Sequence, residues 1–289
     1  VDDAAIDRIA DRVSRALAAG APVDAAALRL VVHRFAVTGR DAWRDVLGRA
    51  LARVADDHAA ALAVGAATPG DLGAAPPDPA RMLLLAEALA VADDQDLRNL
   101  VAAVAARCQA AWPQRGTVAS AAGIVDFCLA AGLALTSSSL VAAAVGELER
   151  LVSLAYEPGD GVAQLLTTRS RTTGDLATHV AVALALLRAY DASGRTAYPM
   201  LAEELMHADA VRAAAPPLGV AALGLAAVLA RLAVLQRDPD YRAVAVTRDD
   251  GQYAQAAERL LRAFDPESDP PLDVAAAYGL AVEEWLRLA

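Results

Sequence analysis

From Asp24 onward, helix-length segments alternate between two kinds. Segments starting near residues 24, 79, 119, 174, 218 and 271 are apolar almost all round, as in 24–37 (DAAALRLVVHRFAV) and 119–133 (ASAAGIVDFCLAAGL). Between them lie amphipathic segments such as 40–60, 96–111, 138–154 and 251–264. A helix that is apolar on every side must be surrounded by protein, whereas one with a single apolar stripe shows its other face to water. The alternation therefore predicts two concentric layers of helices, inner and outer, joined as hairpins. Residues 2–18 place Ile6, Ile9, Val13 and Leu17 at helical spacing, and the last helix is apolar. Together these two supply the sixth hairpin. The expectation is an all-α chain folded as one domain over residues 1–289, with about twelve helices and the first paired with the last.

One hairpin repeats visibly. Phe35-x-x-Thr38-Gly39-Arg40-x-Ala42-Trp43 aligns with Tyr190-x-x-Ser193-Gly194-Arg195-x-Ala197-Tyr198, with weaker echoes at Asp93 to Leu97 and Arg237 to Tyr241. The glycine suits a left-handed cap at the end of an inner helix. The aromatic in the first turn of the outer helix can pack back over the inner one. Other signals fix boundaries: Asp78-Pro79 reads as an N-cap followed by proline at the first helical position, and Ser137 as an N-cap.

The pattern carried by Leu186, Tyr190, Ser193, Gly194, Tyr198 and Ala202, with Tyr156-Glu157-Pro158-Gly159-Asp160-Gly161 as a second piece, resembles the (α/α)6 toroid proteins. These include the six-hairpin glycosidases, the N-acylglucosamine 2-epimerase group and the helical domain that follows a thioredoxin-like domain in some large bacterial proteins. The resemblance implies a closed (α/α)6 toroid of six helical hairpins. It also implies a funnel on the side where outer helices lead into inner ones: here 19–23, 63–78, 112–118, 155–173, 209–217 and 265–271. These connections are mostly long and rich in glycine and proline, whereas the opposite turns near 38, 93, 135 and 193 are short.

Composition narrows the chemistry. A net charge of −10 disfavours nucleic acid as a partner. All 26 basic residues are arginine, so Schiff-base chemistry and a phosphate-binding loop lysine are excluded. The histidines are scattered, no metal-ligand spacing occurs, and no cofactor or metal is expected. Cys108 and Cys128 read as buried free thiols. The longest apolar run, 213–230, is interrupted by Pro216 and Pro217, so no transmembrane segment is expected. Without a signal-peptide pattern the chain reads as soluble, cytoplasmic rather than secreted.

The candidate site residues are polar groups on inner helices or on the funnel rim. Asp175 and His179 are four residues apart on one helix face, which suits a carboxylate orienting an imidazole base. Arg169 and Arg171 precede them as candidate ligand clamps. Asp126 and Glu87 interrupt apolar inner helices, where an unpaired carboxylate is costly. Asp126, Asp175 and His179 are thus the catalytic candidates, and Arg169, Arg171, Glu87 and Trp112 the ligand-binding ones. His33 and Arg34 read as structural, and Asp273 as a first-turn charge. Asp93-Asp94-Gln95-Asp96 matches no acidic motif of terpenoid cyclases.

Only 4% of residues are aromatic, so sugar-stacking platforms are scarce. The leading expectation is therefore a binding or interaction module, whether as a catalytically degenerate enzyme or as one part of a larger assembly. Its partner would be a protein or a small molecule such as a sugar or sugar acid. The alternative is a carbohydrate-active enzyme of glycosidase or epimerase type. A cyclase or lyase comes third.

Overall fold

The computed structural model describes the chain apart from residues 1–2, 23, 68–77, 93, 111, 113–115, 167–171, 209–218, 248–250, 267 and 289. Among the described residues there are thirteen helices and one short β-hairpin. The inner layer comprises α2 (Ala25–Thr38), α4 (Pro79–Val91), α6 (Val118–Ala134), α8 (Leu176–Ser193), α10 (Val220–Leu235) and α13 (Leu272–Leu286). Each packs against the next in that order, and α13 packs against α2, so the ring closes. The outer layer comprises α1 (Asp3–Ala18), α3 (Asp41–Ala67), α5 (Gln95–Ala110), α7 (Ser138–Ala155), α9 (Ala197–Met206) and α12 (Gln252–Arg262). A short helix, α11 (Pro239–Val244), precedes α12. Helix α1 packs on both α13 and α2, which makes the first and last helices the sixth hairpin.

The helices start and stop where local chemistry dictates. Asp24 accepts from the Ala27 amide at 2.8 Å, Asp78 from Ala80 at 3.0 Å with Pro79 in the first turn, and Ser137 from Leu140 at 3.3 Å. Gly39 and Gly194 cap α2 and α8 in the left-handed region, at φ 64° and 68°. Asp273 lies in the first turn of α13.

The repeated aromatic does more than cover its own hairpin. Trp43, on α3, donates from Nε1 to Asp11 of α1 at 2.9 Å, and Arg40 reaches Asp7 of the same helix at 2.5 Å. At the equivalent place, the Tyr198 hydroxyl on α9 donates to Glu149 of α7 at 2.8 Å, and Arg195 reaches the same carboxylate at 3.0 Å. The fainter copy has Tyr241 buried beside Glu203 of α9; burial and then the Glu203 charge push its phenol up. In the first two, the aromatic ties a new outer helix to an acid on the preceding one; in the third, Tyr241 of the short α11 only lies beside one. The turn motif therefore sets the spacing of the outer ring as well as closing each hairpin.

The inner helices approach closely where side chains vanish. A Cβ on Gly279 of α13 would meet Leu30 of α2 at 2.7 Å, and one on Gly224 of α10 would meet Val180 of α8 at 2.9 Å. The hairpin β1 (Tyr156–Glu157) and β2 (Gly161–Val162) folds over the start of α8. Its extension bonds the Gly174 amide to the Val162 carbonyl at 2.7 Å.

Candidate functional site

Each inner helix carries a charged residue within its apolar run: Arg29, Glu87, Asp126, Arg188, Arg231 and Glu283. Helices α4 and α8 are not neighbours in the ring, because α6 lies between them. Their side chains can therefore meet only across the lumen, and they do: Arg188 Nη2 of α8 lies 3.3 Å from Glu87 Oε1 of α4. The Arg188 Nε donates to the buried Asp126 of α6. From the other side Arg29 of α2 forms a bidentate pair with Glu87, at 2.7 and 2.9 Å. His33, one turn further along α2, bridges Glu87 and Glu283 at 3.1 Å on each ring nitrogen. Five inner helices thus contribute to one network. The sixth, α10, places Arg231 against Asp191 of α8 at 2.5 Å.

The electrostatics of the network are mutual. Burial opposes the charge on Glu87, but the Arg29 charge and the hydrogen bonds from His33 and Arg29 outweigh it, holding the carboxyl well below the usual carboxylate range. Burial likewise opposes a charged His33. Its hydrogen bonds to Glu283 and Glu87 outweigh that and hold the imidazole up at about 9. Burial would lower Arg188, but Asp126 and Glu87 raise it further into the charged range.

A cavity of about 660 Å³ lies over this network. Glu87 and Arg188 reach into it, Arg98 of α5 stands at its side, and Ala90, Ala130 and Ala134 leave the space open. Among the described residues no aromatic side chain lines it. It sits by the C-terminal ends of α4 and α6, near the short turns. The long-loop rim, where the sequence places the funnel, is at the other ends of the same helices. Much of that rim falls outside the described residues.

The sequence-derived candidates separate accordingly. Asp126 and Glu87 come together, through Arg188. Asp175 and His179 do not join them: from His179 to Arg188 is nine residues along α8, about 13 Å at 1.5 Å per residue. Nor do they form a carboxylate–imidazole pair. The Asp175 carboxylate caps α8, accepting from the Thr178 amide at 2.9 Å and its hydroxyl at 2.7 Å, and these bonds lower its pKa. The fully buried His179 donates from Nδ1 to the Asp175 carbonyl at 2.9 Å and accepts at Nε2 from the Val162 amide at 3.2 Å. Those bonds fasten the β-hairpin to α8. The reason is steric as much as polar: a Cβ on Gly161 would fall 2.2 Å from His179 Nε2.

Trp112 is half-buried against the hydrophobic core. Arg169 and Arg171 lie outside the described residues, as does Asp93 of the acidic turn. Arg34 is structural, its buried guanidinium paired with Asp7 at 2.6 Å and Asp3 at 2.9 Å. His33, read from sequence as structural, bridges Glu87 and Glu283 in the lumen network. Arg29, Arg188 and Glu283 also belong to it and are not among the sequence-derived candidates. Their signal was available: each interrupts an apolar inner segment as Glu87 and Asp126 do. Cys108 and Cys128 are buried free thiols. No described helix is long and apolar enough to cross a membrane.

No family model and no curated protein matches this chain in sequence. Solved structures do match its fold. An unsaturated glucuronyl hydrolase specific for heparin superposes with a TM-score of 0.69 at 11% identity, over 98% of this chain and 96% of the other. The unsaturated glucuronyl hydrolase of Bacillus sp. GL1, responsible for glycosaminoglycan degradation, gives 0.64 at 12%, over 92% and 85%. The GH76A alpha-1,6-mannanase of Salegentibacter sp. HEL1_6 gives 0.61 at 11%, over 98% and 100%. The fold is therefore the six-hairpin glycosidase-like (α/α)6 toroid, shared with carbohydrate-active enzymes. At these identities the likeness concerns the fold and carries no substrate.

Proposed function

We propose that this protein is a carbohydrate-active toroid of the glycosidase type, with its saccharide site in the cavity over Glu87 and Arg188. The observation that carries the reading is the charged network itself. An inner ring otherwise built of alanine, leucine and valine carries a charged network drawn from five helices, and two of its members, Glu87 and Arg188, line one open cavity. Buried charge is expensive to keep for structure alone. The toroids that share this fold include enzymes acting on glucuronyl groups and on mannan. A cavity of about 660 Å³ has the size of an ordinary small-ligand site.

Glycosidic cleavage runs through an oxocarbenium-like centre flanked by carboxyl groups. Glu87, held ionised and facing the cavity, can stabilise that positive charge. Asp126, on the other arm of Arg188, is the second carboxylate. Asp175 and His179 have no part in this proposal, because their bonds serve the helix cap and the β-hairpin.

One observation favours a second reading, a saccharide-binding module without catalysis. Glu87 is bonded to Arg29, His33 and Arg188, and these partners hold it ionised rather than ready to donate a proton. The two readings separate in one experiment. Calorimetric titration with a panel of disaccharides is paired with an assay for newly released reducing ends. Binding with cleavage supports the enzyme, and binding without cleavage supports the module. Ala90 is exposed at the cavity and bonded to nothing in the network, so Ala90→Trp fills the cavity without disturbing the charges. It should abolish binding. Undiminished binding by that variant would move the site elsewhere on the toroid.

A further inference from the structure

The cavity changes character with depth. Its floor is charged: the Glu87 and Arg188 side chains are only 11% and 21% exposed. Val91 follows Glu87 by four residues on α4, so it stands one turn, about 6 Å, further out on the same face. On α6, Ala130, Leu133 and Ala134 share the face that borders the cavity. Val91 and Leu133 are large and apolar, yet 36% and 46% exposed. Among the described residues of the lining only Glu87, Arg98 and Arg188 are polar; the rest are alanine, leucine or valine. The backbone of α6 does not supply what its side chains lack. The carbonyls of Ala131, Gly132 and Leu133 already accept from the amides of Leu135, Ser137 and Thr136.

The polar reach of the floor is narrow. Both Glu87 oxygens are engaged, by Arg29, His33 and Arg188. Arg188 spends Nε on Asp126 and Nη2 on Glu87, which leaves Nη1 to donate to a ligand oxygen. That suits the ring and hydroxyl oxygens of one sugar. A second ring, further out, would press hydroxyls against the carbon wall of α6, and a hydroxyl buried without a partner is costly. No aromatic face is there to compensate it. A hydrocarbon chain in the same place gains instead, because it covers Val91 and Leu133 and is itself taken out of water.

Resting on the saccharide reading above, we infer that the cavity takes a glycoside with an aliphatic aglycone: one sugar ring at Arg188, and an alkyl chain running outward over Val91 and Leu133. Leu133 and Val91 are then the residues that select the aglycone, and Arg188 the one that holds the sugar. Each methylene fully buried on these walls should strengthen binding about three- to fourfold.

The test is calorimetric titration of the intact protein with the methyl and hexyl glycosides of glucose, galactose and mannose, with cellobiose, lactose and α-1,6-mannobiose, and with hexanol alone. For at least one sugar, the hexyl glycoside should bind tenfold or more tightly than both its methyl counterpart and the matching disaccharide. Leu133→Asn should bring the hexyl-to-methyl ratio below threefold. If that variant does not fold, Val91→Asn carries the same expectation. A methyl glycoside or disaccharide bound as tightly as the hexyl glycoside would overturn the aliphatic class while leaving the saccharide site standing. A ratio unmoved in a folded variant would take the chain off these walls and overturn the assignment. Hexanol bound as tightly as the hexyl glycosides, or no binding by any sugar, would sink the saccharide reading itself, and this inference with it.

Discussion

At the scale of single residues, the lumen network ties stability to pH from both sides. His33 titrates at about 9 in the folded chain against 6.5 as a free side chain. A raised value means that its stabilisation is complete below about 6.5 and is lost as pH rises through about 9. Glu87 is lowered from 4.5, so its contribution is present above that value and disappears as acid takes the pH down through the folded one. The melting temperature of the wild type should therefore fall between neutral pH and pH of about 9. In His33→Gln that alkaline decline should be much smaller; an unchanged slope would show that His33 is not the group responsible. Arg188 makes a second case. Arg188→Met strips Asp126 and Glu87 of a shared partner, and breaking a buried pair costs about 3–5 kcal/mol. Urea unfolding should register that loss, and a variant within about 1 kcal/mol of wild type would mean that the two carboxylates find other partners. Glu87 and Asp126 were legible because a carboxylate inside an apolar helix is conspicuous. Arg188 and Arg29 obey the same rule but are easily taken for surface charges, since a long side chain can reach water from a buried backbone. The four-residue spacing of Asp175 and His179 reports a shared helix face, which a cap and a hairpin anchor need as much as a catalytic pair does.

At the scale of the helices, two kinds of glycine do different work, and substitution should separate them. Gly194 ends α8 at φ 68° with nothing near a prospective Cβ. Gly194→Ala should cost about 1–2 kcal/mol, the strain of the left-handed region, and Gly194→Asn less, because asparagine visits that region readily. Gly279 sits where α13 crosses α2, and a Cβ there would strike the fully buried Leu30 at 2.7 and 2.8 Å. Gly279→Ala should cost about 1–3 kcal/mol by overpacking, and Gly279→Asn more, reversing the order seen at Gly194. Thermal melts of the four variants check this; the same order at both sites would refute the distinction. The sequence showed the first kind plainly, since Ser/Thr-Gly-Arg recurs after an apolar helix. It could not show the second, because a glycine inside a helix reveals a close approach only when the opposing helix is known. The same holds for the aromatic of the repeat: its place in the first outer turn was readable, but its bond to the preceding outer helix depends on neighbours that only the ring provides.

At the scale of the whole molecule, the ring closes through a contact between the two ends of the chain, so its integrity depends on α1. That helix buries Ile6, Ile9, Val13 and Leu17 and supplies two of the three carboxylates paired with the buried Arg34, Glu283 of α13 being the third. Full burial of a large aliphatic side chain is worth about 1.5–3 kcal/mol, so the four together contribute roughly 6–12 kcal/mol. That is comparable with the entire stability of an ordinary domain, about 5–15 kcal/mol. Removing residues 1–18 should therefore do more than fray an end. It should leave α2 and α13 without their outer partner, strip Arg34 of both aspartates, and disturb Glu283 and His33, through which the seam reaches the cavity. We expect the truncated chain to lose its sharp urea transition and any saccharide binding together. A circular permutant tests whether closure or chain order is responsible. Joining the last helix to α1 with a glycine-serine linker, and opening the chain at the exposed 193–196 turn, keeps all six hairpins and moves only the break. That permutant should unfold in one transition with wild-type binding. If the truncated chain also melts in one sharp transition, the ring is not a single cooperative unit, and the seam between α1, α2 and α13 is dispensable to the site.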